Sequence, residues 1–192
     1  MKVLVYGHKG WIGQQFLYIL NEQKIDYMCG RARCDRNGSV DIEISYYKPT
    51  HVISFIGRTH GSRNGKTYST IDYLETPDKL SENMRDNLFA PITLAEVCRK
   101  HNVHYTYLGT GCIFKFDDEH PYGEEKNGFT EDSIPNFFGS QYSIVKGYTD
   151  RLMHNYVETT LNLRIRMPIS NIDNPRNFIT KITKYEHICS QP

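Results

Sequence analysis

A doubly wound α/β fold on a parallel sheet is predicted by three observations. Short apolar runs rich in β-branched residues alternate with stretches whose apolar residues recur at helical spacing. The first run, Lys2–Tyr6, opens directly into glycines spaced Gly7-x-x-Gly10-x-x-Gly13 and then a helical stretch. A later run, Val103–Leu108, is followed by Gly109-Thr110-Gly111, and a downstream helical stretch carries Tyr142 and Lys146 four positions apart.

The elements follow in order. Trp11–Gln23 places Trp11, Ile12, Phe16, Ile19 and Leu20 at helical spacing, and Ile25–Cys29 reads as a second strand. Ser39–Tyr47 carries Val40, Ile44 and Tyr47 on one helical face, with Pro49 as its stop. His51–Ile56 is a buried-strand segment. Arg58–Lys79, with Gly61, Gly65 and Pro77, is a polar loop longer than an ordinary connection, which marks it as functional. A long helix over Ser81–His101 leads to the strand Val103–Leu108, and Gly109–Phe137 is a second long loop. Gly139–Tyr156 is helical, Thr160–Arg166 is a strand ending before Pro168, and Pro175–Tyr185 is a final helix. No internal repeat or low-complexity tract interrupts this order.

Hydrophobic residues at 39% and charged residues at 23% fit a folded globular chain and exclude a disordered one. A formal net charge of +1 gives no global field toward nucleic acid or an anionic membrane, so neither is expected as a partner. No apolar run approaches the ~20 residues of a membrane helix. The amino-terminal run meets Gly7 too soon for a signal peptide and reads as a first strand. Cys29, Cys34, Cys98, Cys112 and Cys189 are odd in number and lack C-x-x-C spacing, which points to reduced thiols in the cytoplasm and to no metal site.

Gly7, Gly10 and Gly13 sit where a chain must turn tightly, approach a pyrophosphate and pack helix on strand. Trp11 and Ile12 begin the helix whose free N–H groups would meet the phosphates. A dinucleotide is therefore the expected cofactor. Arg31, in Gly30-Arg31-Ala32-Arg33 after the second strand, suits the 2′-phosphate of NADPH, although nearby Asp35 leaves NADH open. Gly57 and Arg58 end a strand on the same side.

Tyr142 and Lys146 lie one helical turn apart on one face. There the ammonium is expected to lower the tyrosine pKa and make it a general acid for a carbonyl oxygen receiving hydride. Thr110 at a strand end is placed to hydrogen-bond that carbonyl. Cys112 is either a small buried hydrophobe or, beside a cationic lysine, a thiol with a lowered pKa that abstracts protons next to a carbonyl.

The chain resembles the extended short-chain dehydrogenases/reductases, and within them the bifunctional UDP-4-keto-6-deoxyglucose 3,5-epimerase/4-reductases of UDP-L-rhamnose synthesis. The resemblance rests on Tyr6–Gly13, Gly109–Phe114, Pro135–Ser140, Tyr142–Lys146, Leu163–Ser170 and Asn174–Ile182, and spans nearly the whole chain. It implies a Rossmann-type domain over residues 1–168 and the start of a substrate-binding region over 169–192. The C-terminal substrate lobe would then be largely absent, since Ile188–Pro192 falls where that lobe should begin.

The resemblance further implies a UDP-sugar substrate. Cys112 would be the epimerisation base and Lys181 the opposing acid. Thr110, Tyr142 and Lys146 would carry out the reduction with NADPH. Asn136, Arg176 and Asn177 lie in loops that would face the sugar nucleotide, and Asn87 matches an asparagine that orders the reductase site. A homodimer through the Tyr142 helix is an expectation at fold level. The loop Gly57-Arg58-Thr59-His60-Gly61 departs from the smaller, alanine-rich strand end of many relatives. Two other readings remain: a dTDP-4-keto-rhamnose reductase alone, and a catalytically incomplete NADP-binding module.

Overall fold

The structure, a computed structural model, describes residues 1–123 and 125–184. The end of the expected last helix at Tyr185, Cys189 and the segment Ile188–Pro192 lie outside the described residues. Five parallel strands form one sheet in the order β2-β1-β3-β6-β7. They are β1 (Lys2–Tyr6), β2 (Asp26–Cys29), β3 (His51–Ser54), β6 (His104–Thr110) and β7 (Thr160–Ile165). The doubly wound α/β architecture is thus the one the alternation predicts. From β1 the chain builds outward first to β2 and then, on the other side, to β3. The carboxyl ends of β1 and β3 therefore flank the switch point where open α/β sheets bind ligands.

Alternate residues of the strands feed two cores. Leu4, Tyr6, Val52, Tyr105 and Tyr107 point to the face covered by α2 (Asn37–Tyr47), α4 (Ala90–Lys100) and α5 (Gln141–Met153). Val3, Val5 and Ile53 point to the opposite face, where α1 (Trp11–Glu22) packs Phe16, Leu17 and Leu20. Among the described residues no helix is long and apolar enough to cross a membrane.

The structure corrects two elements. The expected polar loop Arg58–Lys79 contains an antiparallel hairpin, β4 (Gly61–Arg63) with β5 (Lys66–Tyr68). Its two-residue turn, Asn64-Gly65, has φ of 50° and 77°, the pair of positive values that suits the strands' twist. The expected long helix Ser81–His101 is α3 (Leu80–Met84), a π-helical turn (Arg85–Phe89) and then α4.

Pro91 accounts for that π-helical turn. It has no N–H to give the Asn87 carbonyl, so the regular ladder fails there. The freed carbonyl instead accepts the Thr149 hydroxyl from α5 at 2.7 Å. The expected strand ends also move: β3 stops at Ser54, and β6 continues through Gly109 to Thr110. The last helix, α6, is confined to Phe178–Ile182.

Candidate active site

Gly7 has φ of 71°, and a Cβ there would stand 2.7 Å from the Phe55 carbonyl carbon. A Cβ on Gly13 would stand 2.4 Å from the Gly7 carbonyl oxygen, so helix and turn meet at van der Waals distance because both residues are glycine. Gly10 N-caps α1 without a side-chain cap, which leaves the first N–H groups open to an incoming anion. Trp11 and Ile12 begin that helix half-buried, and in the same turn the buried His8 Nδ1 has no hydrogen-bond partner. This chain's residues therefore fit the diphosphate of a dinucleotide on four separate observations. Gly13→Ala is expected to weaken dinucleotide binding by about five- to 150-fold, since crowding a packed turn costs about 1–3 kcal/mol. Gly38→Ala, where a Cβ meets nothing within 4 Å, should bind as wild type in the same calorimetric titration.

Glu43, which the sequence does not announce, organises the end of β2. Its carboxylate accepts the Tyr6 hydroxyl at 2.7 Å, Arg31 N at 2.8 Å and Ala32 N at 3.0 Å. The Arg31 backbone is held while its side chain stays exposed. Arg33 forms a bidentate pair with Asp35 at 2.9 and 3.0 Å.

Gly57 and Arg58 are set from the π-helical turn. Asn87, buried, accepts Arg58 N at 2.9 Å and donates to the Arg58 carbonyl at 2.9 Å and to Asn83 at 2.8 Å. The Arg58 guanidinium pairs with Asp86 at 3.0 Å and Glu82 at 3.2 Å. Asn87 thus holds the loop leaving β3 rather than pointing its amide into open space.

Thr110 and Tyr142 are both buried, and the Thr110 hydroxyl is near enough to draw the Tyr142 pKa down. Thr110 Oγ1 also accepts Cys112 N at 3.1 Å. The Ser143 hydroxyl donates to the Cys112 carbonyl at 2.8 Å, so the half-buried Cys112 is fixed from both sides. Ser140 N-caps α5, and Glu75, from the long loop, accepts Gln141 N at 2.9 Å and Tyr142 N at 3.1 Å. Tyr73 and Leu74 of that loop pack on Tyr142.

The expected effect of Lys146 on Tyr142 is not what the geometry produces. Burial pushes the Tyr142 phenol up to about 12, although the nearby Thr110 hydroxyl pulls it back in part. Burial likewise brings the Lys146 amine down to about 8, with Asp150 and Cys112 opposing the fall. Lys146 Nζ donates to the Tyr107 hydroxyl, with the Leu108 carbonyl at 3.5 Å. Desolvation outweighs the charge–charge effect that spacing alone suggests. Tyr142 keeps its proton near neutrality, which is the form a reduction needs.

The remaining expected site residues are dispersed. Asn136 spends its amide on the Lys115 backbone and on Asp117, bracing its own loop. Asn177 is buried, caps α6 and clasps Ser170 and Ile172 through three further hydrogen bonds. The Arg176 guanidinium meets His60 Nε2 at 2.7 Å, which connects the hairpin loop to the segment after β7. Lys181 stands half-buried on α6, and no hydrogen bond or ion pair joins it to Cys112 among the described residues.

Arg164 was not foreseen in its role. It donates to both Asp150 oxygens at 2.9 and 2.7 Å and to the carbonyls of Thr130 and Ser133, and it stacks on Phe114. It ties the loop after Cys112 to α5.

A parallel sheet with a glycine turn at its switch point and buried Thr110, Tyr142 and Lys146 has the architecture of the extended short-chain dehydrogenase/reductase family. The chain belongs to the NAD dependent epimerase/dehydratase family, whose sequence profile matches residues 3–183. It is 54% identical over 192 residues to protein L780 of Acanthamoeba polyphaga mimivirus, covering 100% of this chain and 64% of L780. The crystal structure of the L780 UDP-rhamnose synthase superposes with a TM-score of 0.91 at 53% identity, over 98% of this chain and 64% of that one. The Arabidopsis thaliana trifunctional UDP-glucose 4,6-dehydratase/UDP-4-keto-6-deoxy-D-glucose 3,5-epimerase/UDP-4-keto-L-rhamnose-reductase RHM1 is 40% identical over 193 residues, all of this chain and 27% of RHM1.

Proposed function

We propose that the site epimerises a UDP-4-keto-6-deoxy-D-glucose at C3 and C5 and reduces its C4 ketone with NADPH, giving UDP-L-rhamnose. The observation that carries the reading is Cys112 fixed beside the Thr110–Tyr142 pair. Cys112 packs beside Tyr142 and its backbone N–H donates to the Thr110 hydroxyl, which supports a thiol working next to the hydroxyls that would hold the ketone. The C4 carbonyl acidifies the protons on its two neighbouring carbons. The Cys112 thiolate takes such a proton while Thr110 and Tyr142 hydrogen-bond the developing enolate oxygen. Lys181, from α6, returns a proton on the opposite face, which inverts the centre. A dinucleotide held at the Gly7–Gly13 turn would supply the hydride for C4. Tyr142 gives its phenolic proton to the oxygen, and Lys146 orients the ribose and restores the phenol. The Gly7–Gly13 turn would hold the diphosphate, Arg31 the 2′-phosphate and Arg176 the sugar nucleotide, while Asn136 would shape the loop beside it. The similarity to L780 and RHM1 supports this assignment of substrate class.

The test is an anaerobic assay of UDP-4-keto-6-deoxyglucose with NADPH in deuterated water, with the product sugar identified. Wild type is expected to make UDP-L-rhamnose with deuterium at C3 and C5. Cys112→Ala should lose the label while still oxidising NADPH. Wild-type protein that binds NADPH and turns over no sugar would identify a cofactor-binding unit and overturn the catalytic reading.

A further inference from the structure

The hydroxyl of Tyr107, on the central strand β6, meets the amine of Lys146 in the core beneath the site. Tyr107 is 1% exposed and Lys146 4%, so neither reaches bulk water. The same approach leaves Lys146 Nζ 4.5 Å from the Tyr107 ring centroid. The other acceptor in reach, the Leu108 carbonyl, is at the distance limit of 3.5 Å.

The charged groups around this pair are spoken for. Asp150, one turn further along α5, is held by both ends of the Arg164 guanidinium and by Asn162 at 2.9 Å. On the π-helical turn packed against α5, Asp86 is taken by Arg85 and Arg58. Cys112 and Tyr142, and Tyr105 two positions along β6, are the other titratable neighbours of Lys146 and Tyr107. A buried ammonium without an acceptor is costly. The Tyr107 oxygen is the group here that meets that need.

We propose that Tyr107 is a positioning residue for this site: its hydroxyl anchors the Lys146 amine, one turn along α5 from Tyr142, and keeps it charged. The proposal rests on the reductase reading of Lys146. It adds a member to that set which does not touch cofactor or substrate. A lysine with a four-carbon stem has many rotamers, and a fixed acceptor at its tip removes most of them before the ribose arrives. Burial also keeps the Tyr107 phenol protonated, because its pKa is raised well above the ordinary value. Its oxygen therefore accepts from the ammonium without becoming a rival anion.

The experiment reads Lys146 directly in the cofactor-free protein, by NMR titration of lysines labelled with ¹³C at Cε. Lys146→Met identifies the resonance. In wild type it is expected to titrate near about 8. In Tyr107→Phe, which keeps the ring and removes the acceptor, the midpoint should fall by about one further unit. Tyr105→Phe perturbs an adjacent buried tyrosine on the same strand and should leave the midpoint in place. A midpoint unchanged in folded Tyr107→Phe, or moved equally by Tyr105→Phe, overturns the proposal.

NADPH binding, followed by fluorescence of Trp11, the chain's one tryptophan, is expected to weaken about tenfold in Tyr107→Phe. Because the titration needs neither cofactor nor sugar, a wild type that fails to bind NADPH would sink the reductase reading and still leave the Tyr107 result legible.

Discussion

Tyr142→Phe should reduce NADPH-dependent ketone reduction by about a hundred- to ten-thousand-fold, the usual worth of a positioned general acid. Nothing else in the site should move comparably. The ring fills the same space against Tyr73 and Leu74, so the packing that fixes α5 survives. Only the hydroxyl near Thr110 is lost. NADPH affinity should stay within about threefold, because the phosphate turn is untouched. The two half-reactions should separate. Deuterium exchange at the carbons beside the ketone depends on Cys112, and Thr110 still donates to the enolate oxygen, so exchange should fall far less than hydride transfer. The pH profile of wild type carries a second check. With the phenol titrating near about 12 and the lysine near about 8, the first alkaline loss of activity belongs to Lys146. Equal loss of exchange and reduction in Tyr142→Phe would mean that one group serves both steps, contrary to the assignment.

The parts of this fold that were legible in the sequence are those where one residue type has one physical use. Parallel strands buried on both faces read as continuous apolar runs, and β1 and β3 were placed to within two residues. The glycine turn was legible because each glycine answers a different steric demand. The hairpin at β4–β5 carried a clear local signal in Asn64-Gly65, but its strands, three residues each, have no apolar alternation to draw the eye. The π-helical turn left almost no trace. Its cause, Pro91, sits within a helical apolar pattern, and its compensation comes from Thr149, 62 positions away in sequence.

The site divides the same way. Thr110, Tyr142 and Lys146 were expected from spacing and strand ends, and the structure buries all three. What spacing could not reveal was burial, and burial decides the protonation states of both Tyr142 and Lys146. Asp150 and Arg164 read as ordinary surface charges until the sheet brings β7 against α5. Tyr107 reads as a core aromatic until its hydroxyl is seen against an amine 39 positions away. Each missed residue acts through a partner that only the tertiary structure supplies.

Lys146→Met should abolish reduction and raise stability at neutral pH. The native amine titrates near about 8, below its ordinary 10.5, so the folded chain holds this proton less tightly than the unfolded one. Below about 8 the full cost of burying the ammonium is present. It is relieved as pH rises from there to 10.5, where both states carry a neutral amine. A shift of that size corresponds to roughly 3 kcal/mol. Methionine fills a similar volume without charge, but it strands the Tyr107 hydroxyl at a cost of about 1 kcal/mol. The net gain expected for the variant is about 1–2 kcal/mol near neutrality, vanishing by pH 10.5, as read by thermal denaturation across that range. A Met variant less stable than wild type by the same margin at both ends would mean the amine is not desolvated in solution. If the gain appears and fades with pH as described, the chain keeps a destabilising lysine because the site needs its charge. The Tyr107 hydroxyl is then the group that makes that burial tolerable.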